Sequence, residues 1–231
     1  MKIFDTILGR TQPAKSNLDN LFSLPGASIT LSISGNLVPT GKAGVCFKPA
    51  SGASFENAIA EFQTVIETMG TKKPAPSATD SYGYDWVTLS DEDFGTLVTK
   101  AHVLNSTIDN AGFGSQLLCS VFPFKETESG EIVYFVYLFK RGSFYPFVPT
   151  GQEKRDSERE MAVRALIEKE LPIEQDLAHW FPLWEIPQDR PSLTPPKLCP
   201  MRFRDLSMKS PYSPLLPPVP MEPLSSRERR N

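Results

Sequence analysis

Two histidines, three cysteines and a stretch of acids alternating with arginines are the groups with most chemistry to offer, and their spacing restricts it. His102 falls within a helical pattern between Ala101 and Leu104, and His179 directly precedes an aromatic cluster. Neither stands in an H-E-x-x-H arrangement and no C-x-x-C occurs, so neither a catalytic metal nor a structural zinc is expected. Cys46, Cys119 and Cys199 are odd in number and far apart, which fits reduced thiols rather than a disulfide framework. Cys119 lies in a strand pattern, where a thiol packs as a small hydrophobe. Gly112-Phe113-Gly114 lacks a third glycine and follows a helix, so it reads as a helix cap and tight turn, not a phosphate cradle. Asp156, Glu158 and Glu160 alternate with arginines in the manner of a solvated helix face. Nothing pairs a nucleophile with an oriented base. The expectation is no catalytic residue, no cofactor and no enzyme.

Binding has better candidates. Tyr137 to Phe147 is dense in aromatics around two cations, and Trp180-Phe181-Pro182-Leu183-Trp184 forms a second cluster. Aromatics beside Arg are the composition of interface hot spots, although core packing explains either cluster equally well. The candidate partner-binding residues are Lys140, Arg141, Phe144, Tyr145, Phe147, Trp180, Phe181 and Trp184. A weaker candidate is membrane contact through Ile3, Phe4, Ile7 and Leu8, which share one side of a short N-terminal helical pattern.

The elements that must carry these groups follow from periodicity. A short helix with Leu18, Leu21 and Phe22 inward is expected to end at Pro25-Gly26. Ile29, Leu31 and Ile33 then alternate as a strand, partnered by Ala43 to Lys48. Ser54 opens a helix carrying Phe55, Ala58, Ile59, Phe62, Val65, Ile66 and Met69. A polar loop spans Thr71 to Ser81, and Tyr84 to Leu89 reads as a strand. Ser90 and Asp93 form a capping box ahead of a helix stopped by Gly112. Leu117 to Phe124 is a strand, and Ile132 to Phe139, apolar without alternation, reads as a central one. A turn at Lys140 to Ser143 leads to Phe144–Val148 as a hairpin partner. A charged helix from about Glu153 to Leu171 buries Ala162, Val163, Leu166 and Ile167, with Glu160 and Arg164 spaced for an i,i+4 pair. The class is α+β: a single domain over residues 1–186, with a largely antiparallel sheet packed with helices.

The chain has 231 residues and 22 prolines, of which 11 lie from Pro187 onward. That final segment carries 8 Lys/Arg and 4 Asp/Glu, whereas the rest carries 16 and 23. It cannot bury enough apolar area to offset ordering, about 1–2 kcal/mol per residue, so residues 187–231 are expected to be a disordered, proline-rich basic tail. An acidic body argues against nucleic acid as a partner. The absence of a long apolar run or a signal-peptide pattern points to the cytoplasm.

The stretches MKIFDTILGRT, SYGYDW, GFGSQLLCSVFPF, YLFKRGSFYPFVP, Arg155-Asp156 and LPIEQDLAHWFPLW, in that order over about 1–186, resemble the PspAB family of PspA-associated proteins of phage-shock and envelope-stress systems. The resemblance implies partnership with PspA, a membrane-remodelling helical scaffold, and with a membrane zinc protease of the HtpX type. It implies no catalytic residues. The leading expectation is therefore a non-catalytic adaptor in membrane stress, cytoplasmic or peripheral at the inner face of the membrane. The alternatives are a peripheral membrane binder using residues 1–10, or an uncharacterised enzyme.

Overall fold

The computed structural model describes residues 17–68, 75–151 and 153–187. The expected membrane-contact residues Ile3, Phe4, Ile7 and Leu8 and the expected tail beyond Pro187 lie outside the described residues.

Pro25 and Gly26 begin a helix instead of ending one. A 3-10 turn over Leu18–Ser23 runs directly into α1 (Leu24–Gly35), with Pro25 in the first turn, where its missing N–H forfeits no hydrogen bond. The strand expected at Ile29, Leu31 and Ile33 is thereby corrected. Leu31 is fully buried, but Ile29 and Ile33 are 63% and 77% exposed. Leu31 belongs to two overlapping patterns, and the one that buries is helical: Leu24, Ala27 and Leu31. Phe22, expected inward, is half exposed and lies against His102, 4.7 Å between ring centroids. Asn36 adopts the left-handed conformation (φ 54°) that caps α1 and turns the chain into β1 (Leu37–Pro39).

The main sheet pairs its seven named strands antiparallel. Its strands are β2 (Lys42–Phe47), β3 (Ala75–Thr79), β4 (Asp85–Ser90), β5 (Leu117–Glu126), β6 (Ile132–Leu138) and β7 (Ser143–Phe147), ordered β3-β4-β2-β5-β6-β7. β1 pairs with the far end of β5 through Leu37 opposite Glu126. The partners of β2 are thus β4 and β5, not the segment at Ile29 to Ile33. β3 occupies the loop expected over Thr71 to Ser81; as the edge strand it tolerates Pro76, whose absent donor would break a ladder further in. β6 lies between β5 and β7, inside the sheet but one step off its centre. The β6–β7 hairpin forms as its aromatic pattern suggests. Gly142 makes the turn at φ 64°, and a Cβ there would stand 3.2 Å from Asn17. A small second ladder pairs β8 (Pro149–Gly151) with β9 (Lys154–Arg155).

Helices pack on the face that carries Val45, Ser120, Tyr137 and Phe144. α2 (Ala53–Thr68) buries Phe55, Ala58, Phe62 and Ile66 at helical spacing. α3 (Phe94–Ile108) is capped by Asp93, which accepts from the Thr96 N–H at 2.6 Å, so Asp93 is the cap and Ser90 closes β4. Inside α3, Asn105 donates to Ser120 Oγ (2.9 Å) and to the Ala101 carbonyl. Buried Lys100 donates to the Ser90 carbonyl (2.9 Å) and to Asp91. α4 (Ser157–Ile167) is shorter than expected and is capped by Asp156. It buries Val163 and Ile167, whereas Ala162 and Leu166 face outward. Glu160 is a correction to the solvated-face expectation. It is buried and takes Arg155, not Arg164, as its ionic partner, while Arg164 turns to Glu168 and Gln175.

A strap-covered cavity as candidate binding site

Strand register places side chains in rows across the sheet. Trp86, Cys46, Cys119, Leu138 and Ser143 stand opposite one another from β4 to β7. Alternation aims them at one face, opposite the neighbours Val45 and Ser120 that meet the helices. Val121, Val136 and Tyr145 form the next row on this face, then Tyr134 and Phe147.

What covers this face is the chain after α4. Pro172 accepts from the Phe144 N–H and Glu174 donates back to the Phe144 carbonyl, both at 2.8 Å, extending the sheet by a short parallel bridge at Ile173. The chain then crosses as a strap. Trp180 stacks on Tyr145 with centroids 5.8 Å apart and donates to the Glu174 carbonyl. Arg155 donates to the Trp180 carbonyl and Tyr145 Oη to the Phe181 carbonyl, each at 2.7 Å. Burial pushes the Tyr145 phenol well above its ordinary pKa, so it stays a donor. Trp184 meets Phe147, and Glu185 accepts from the backbone and hydroxyl of Ser81 at 2.7 and 2.8 Å.

Two carboxylates organise the ends of the strap. Asp80 accepts from the N–H groups of Tyr82 and Tyr84 and from Trp86 Nε1, at 2.9–3.0 Å, shaping the β3–β4 turn. At the other end Glu174 accepts from two of the Arg141 guanidinium nitrogens, Nε and Nη2, and from Ser143 Oγ. The Arg141 guanidinium, more than any other group, holds the Glu174 carboxyl down at about 2.

Between strap and sheet lies an open cavity of about 680 Å³. Trp86, Cys46, Cys119, Leu138 and Tyr145 line the sheet side, Phe181 to Glu185 the strap side, and Lys140 and Arg141 one rim. This is within the size range of small-molecule sites. The carboxylates at it are already occupied by their own hydrogen bonds. A hydrogen bond with Cys119, then burial, holds the Cys46 thiol far above its usual range, so it stays protonated at neutral pH.

The eight residues expected at a partner surface divide. Phe144, Tyr145 and Phe147 are fully buried and Trp180 is nearly so; Phe144 faces the helices, and Tyr145 forms part of the cavity's sheet side. Lys140, Arg141, Phe181 and Trp184 gather at the cavity, with Phe181 52% exposed. His102 stands beside Asp19 (3.3 Å) and His179 beside Asp176 (3.3 Å), away from each other in role and partner. Among the described residues no group of three or more His, Cys, Asp or Glu is placed to hold a metal, and no helix is long and apolar enough to cross a membrane. Asp80, Glu174 and the facing of Cys46 on Cys119 escaped sequence reasoning. Only Asp80 had a local signal, an Asx turn ahead of Ser-Tyr-Gly.

An antiparallel sheet with helices on one face and a strap-covered cavity on the other defines an α+β protein. The chain belongs to the PspAB family, PspA associated protein B, whose match covers residues 1–188. Neither a curated protein nor a solved structure matches it.

Proposed function

We propose that this PspAB-family chain is a non-catalytic interaction protein of a PspA-type envelope-stress system, and that an apolar segment of its partner enters the cavity beneath the strap. The observation that carries this reading is the combination at the cavity mouth. An apolar floor is open to solvent beside exposed Phe181 and Tyr82, and the Lys140 ammonium sits on the rim without an ionic partner among the described residues. Aromatic anchors in a pocket with a charge at the rim are the usual anatomy of a hot spot. Family membership supports PspA as the partner.

The full chain is titrated against a PspA-type protein, with an HtpX-type protease as second bait. Phe181→Ala and Lys140→Glu are each expected to weaken the PspA complex roughly tenfold or more, in line with loss of a hot spot. Unchanged binding in both variants, or no complex with the native chain, would overturn the reading. The enzyme alternative has one observation in its favour, the two thiols at an open cavity. Against it, the thiols face each other and the carboxylates nearby serve the turn and strap. The membrane alternative rests on residues 1–10, outside the described residues.

A further inference from the structure

We propose that Cys46 and Cys119 are a reversible dithiol–disulfide pair, formed across neighbouring strands at the floor of the cavity and oxidised by a low-molecular-weight disulfide that enters there. This goes beyond the partner-binding reading and does not depend on it.

The register carries the inference. Cys46 on β2 and Cys119 on β5 are directly opposed partners in an antiparallel ladder. Opposed residues in such ladders have Cα atoms about 4.5–5.5 Å apart, inside the roughly 4.4–6.8 Å that a disulfide bridges. Both side chains emerge on the same face, and both strands are fixed by pairing on each side, with the ladder's register shift falling just after Cys46, between it and Phe47. Burial of both residues at 3–4% exposure would make them inert in a filled core. Here both line a cavity open to solvent, which supplies the access that an ordinary buried cysteine lacks. In the ladder Cys46 stands between Trp86 and Cys119, and Cys119 between Cys46 and Leu138.

The reaction is two successive exchanges. One cysteine loses its proton to solvent and its sulfur attacks the small disulfide; the S–S bond of the reagent breaks, and one thiolate leaves and takes up a proton. The second cysteine sulfur then attacks the mixed disulfide, forming the Cys46–Cys119 bond and releasing the second small thiol. Two protein thiols are oxidised, one small disulfide is reduced to two thiols, and no net proton is consumed. Because Cys46 is held protonated, exchange through its sulfur is slow at neutral pH and quickens as pH rises. The test is therefore made at equilibrium.

The full chain is equilibrated in glutathione redox buffers, quenched with acid, alkylated in denaturant and analysed by intact and peptide mass spectrometry. In oxidising buffer the expected result is loss of two of the three alkylatable thiols, a Cys46–Cys119 linked peptide, and full recovery with a dithiol reductant. Cys199→Ala keeps this behaviour, and Cys46→Ala and Cys119→Ala each abolish the linked peptide. The native chain alone decides the matter if an alanine variant fails to fold. Three alkylatable thiols in the most oxidising buffer, a stable glutathione adduct with the other cysteine still free, or a bridge that involves Cys199 would each overturn the proposal.

Discussion

Glu174 sits where the β6–β7 turn, the parallel bridge and the strap converge, and its carboxylate serves all three. It takes two hydrogen bonds from Arg141 and one from Ser143, and the Asp176 N–H adds a fourth at 3.1 Å. Charged hydrogen bonds of this kind contribute about 1.5–3 kcal/mol each when well buried, less where a partner is half exposed, as Arg141 is. Glu174→Gln should therefore destabilise the fold by about 2 kcal/mol in denaturant titrations near neutral pH. The sign with pH follows from the lowered carboxyl. Its ordinary value is 4.5 and its folded value about 2, so its stabilisation is complete above 4.5 and lost as pH falls toward 2. The gap between native and variant should close over that window; a gap of constant size would contradict the assignment. Glu160 is the second such residue, accepting from the Val148 N–H and from Arg155 at 2.9 Å. Glu160→Ala strands Arg155 beside Phe147 and should cost about 3 kcal/mol by the same measurement.

At the scale of elements, α1 is the sharpest test of why this sequence chose its local structure. Ile29 and Ile33 lie on its outer side, so Ile29→Ser and Ile33→Ser should change stability by less than about 0.5 kcal/mol. Leu31→Ala, which empties a fully buried site, should cost about 2–5 kcal/mol. A half-buried strand would lose heavily at all three positions, because its apolar face would contain all of them. Alternation misled here because Ser and Thr at 28, 30 and 32 are compatible with either structure. What decides is the neighbour: α4 packs on α1, and only a helix presents Leu24, Ala27 and Leu31 together. The edge strand β3 was hidden for a related reason, since small residues and Pro carry little β-propensity and are held by pairing with β4.

For the molecule as a whole, one face of the sheet is closed by helices and the other is partly open at the cavity. Substitutions at the cavity mouth should separate binding from stability. Phe181 and Lys140 make little of the core, so Phe181→Ala and Lys140→Glu should leave the midpoint of thermal unfolding within a few degrees while weakening the partner complex. Tyr145→Ala should instead unfold the strap side at about 3–5 kcal/mol, because the ring carries Trp180 and the hydroxyl holds Phe181. Circular dichroism melts beside binding titrations read both quantities from the same samples.

Much of this was written in local pattern. Helices α2 and α3 and the β6–β7 hairpin followed from helical spacing, a cap and a glycine turn, because each depends on neighbours within one or two turns of chain. The sequence motifs also sufficed to place the chain in its family. The site was different. Side chains 73 residues apart, Cys46 and Cys119, meet only through register, and Glu185 reaches Ser81 only because the strap crosses the sheet. Whether Phe144 or Phe181 faces solvent is likewise set by which face the helices cover. Local residues determine most element types through short-range sterics and hydrogen bonding, but α1 and β3 take theirs from tertiary neighbours, and the side on which each face finds water is decided by long-range packing.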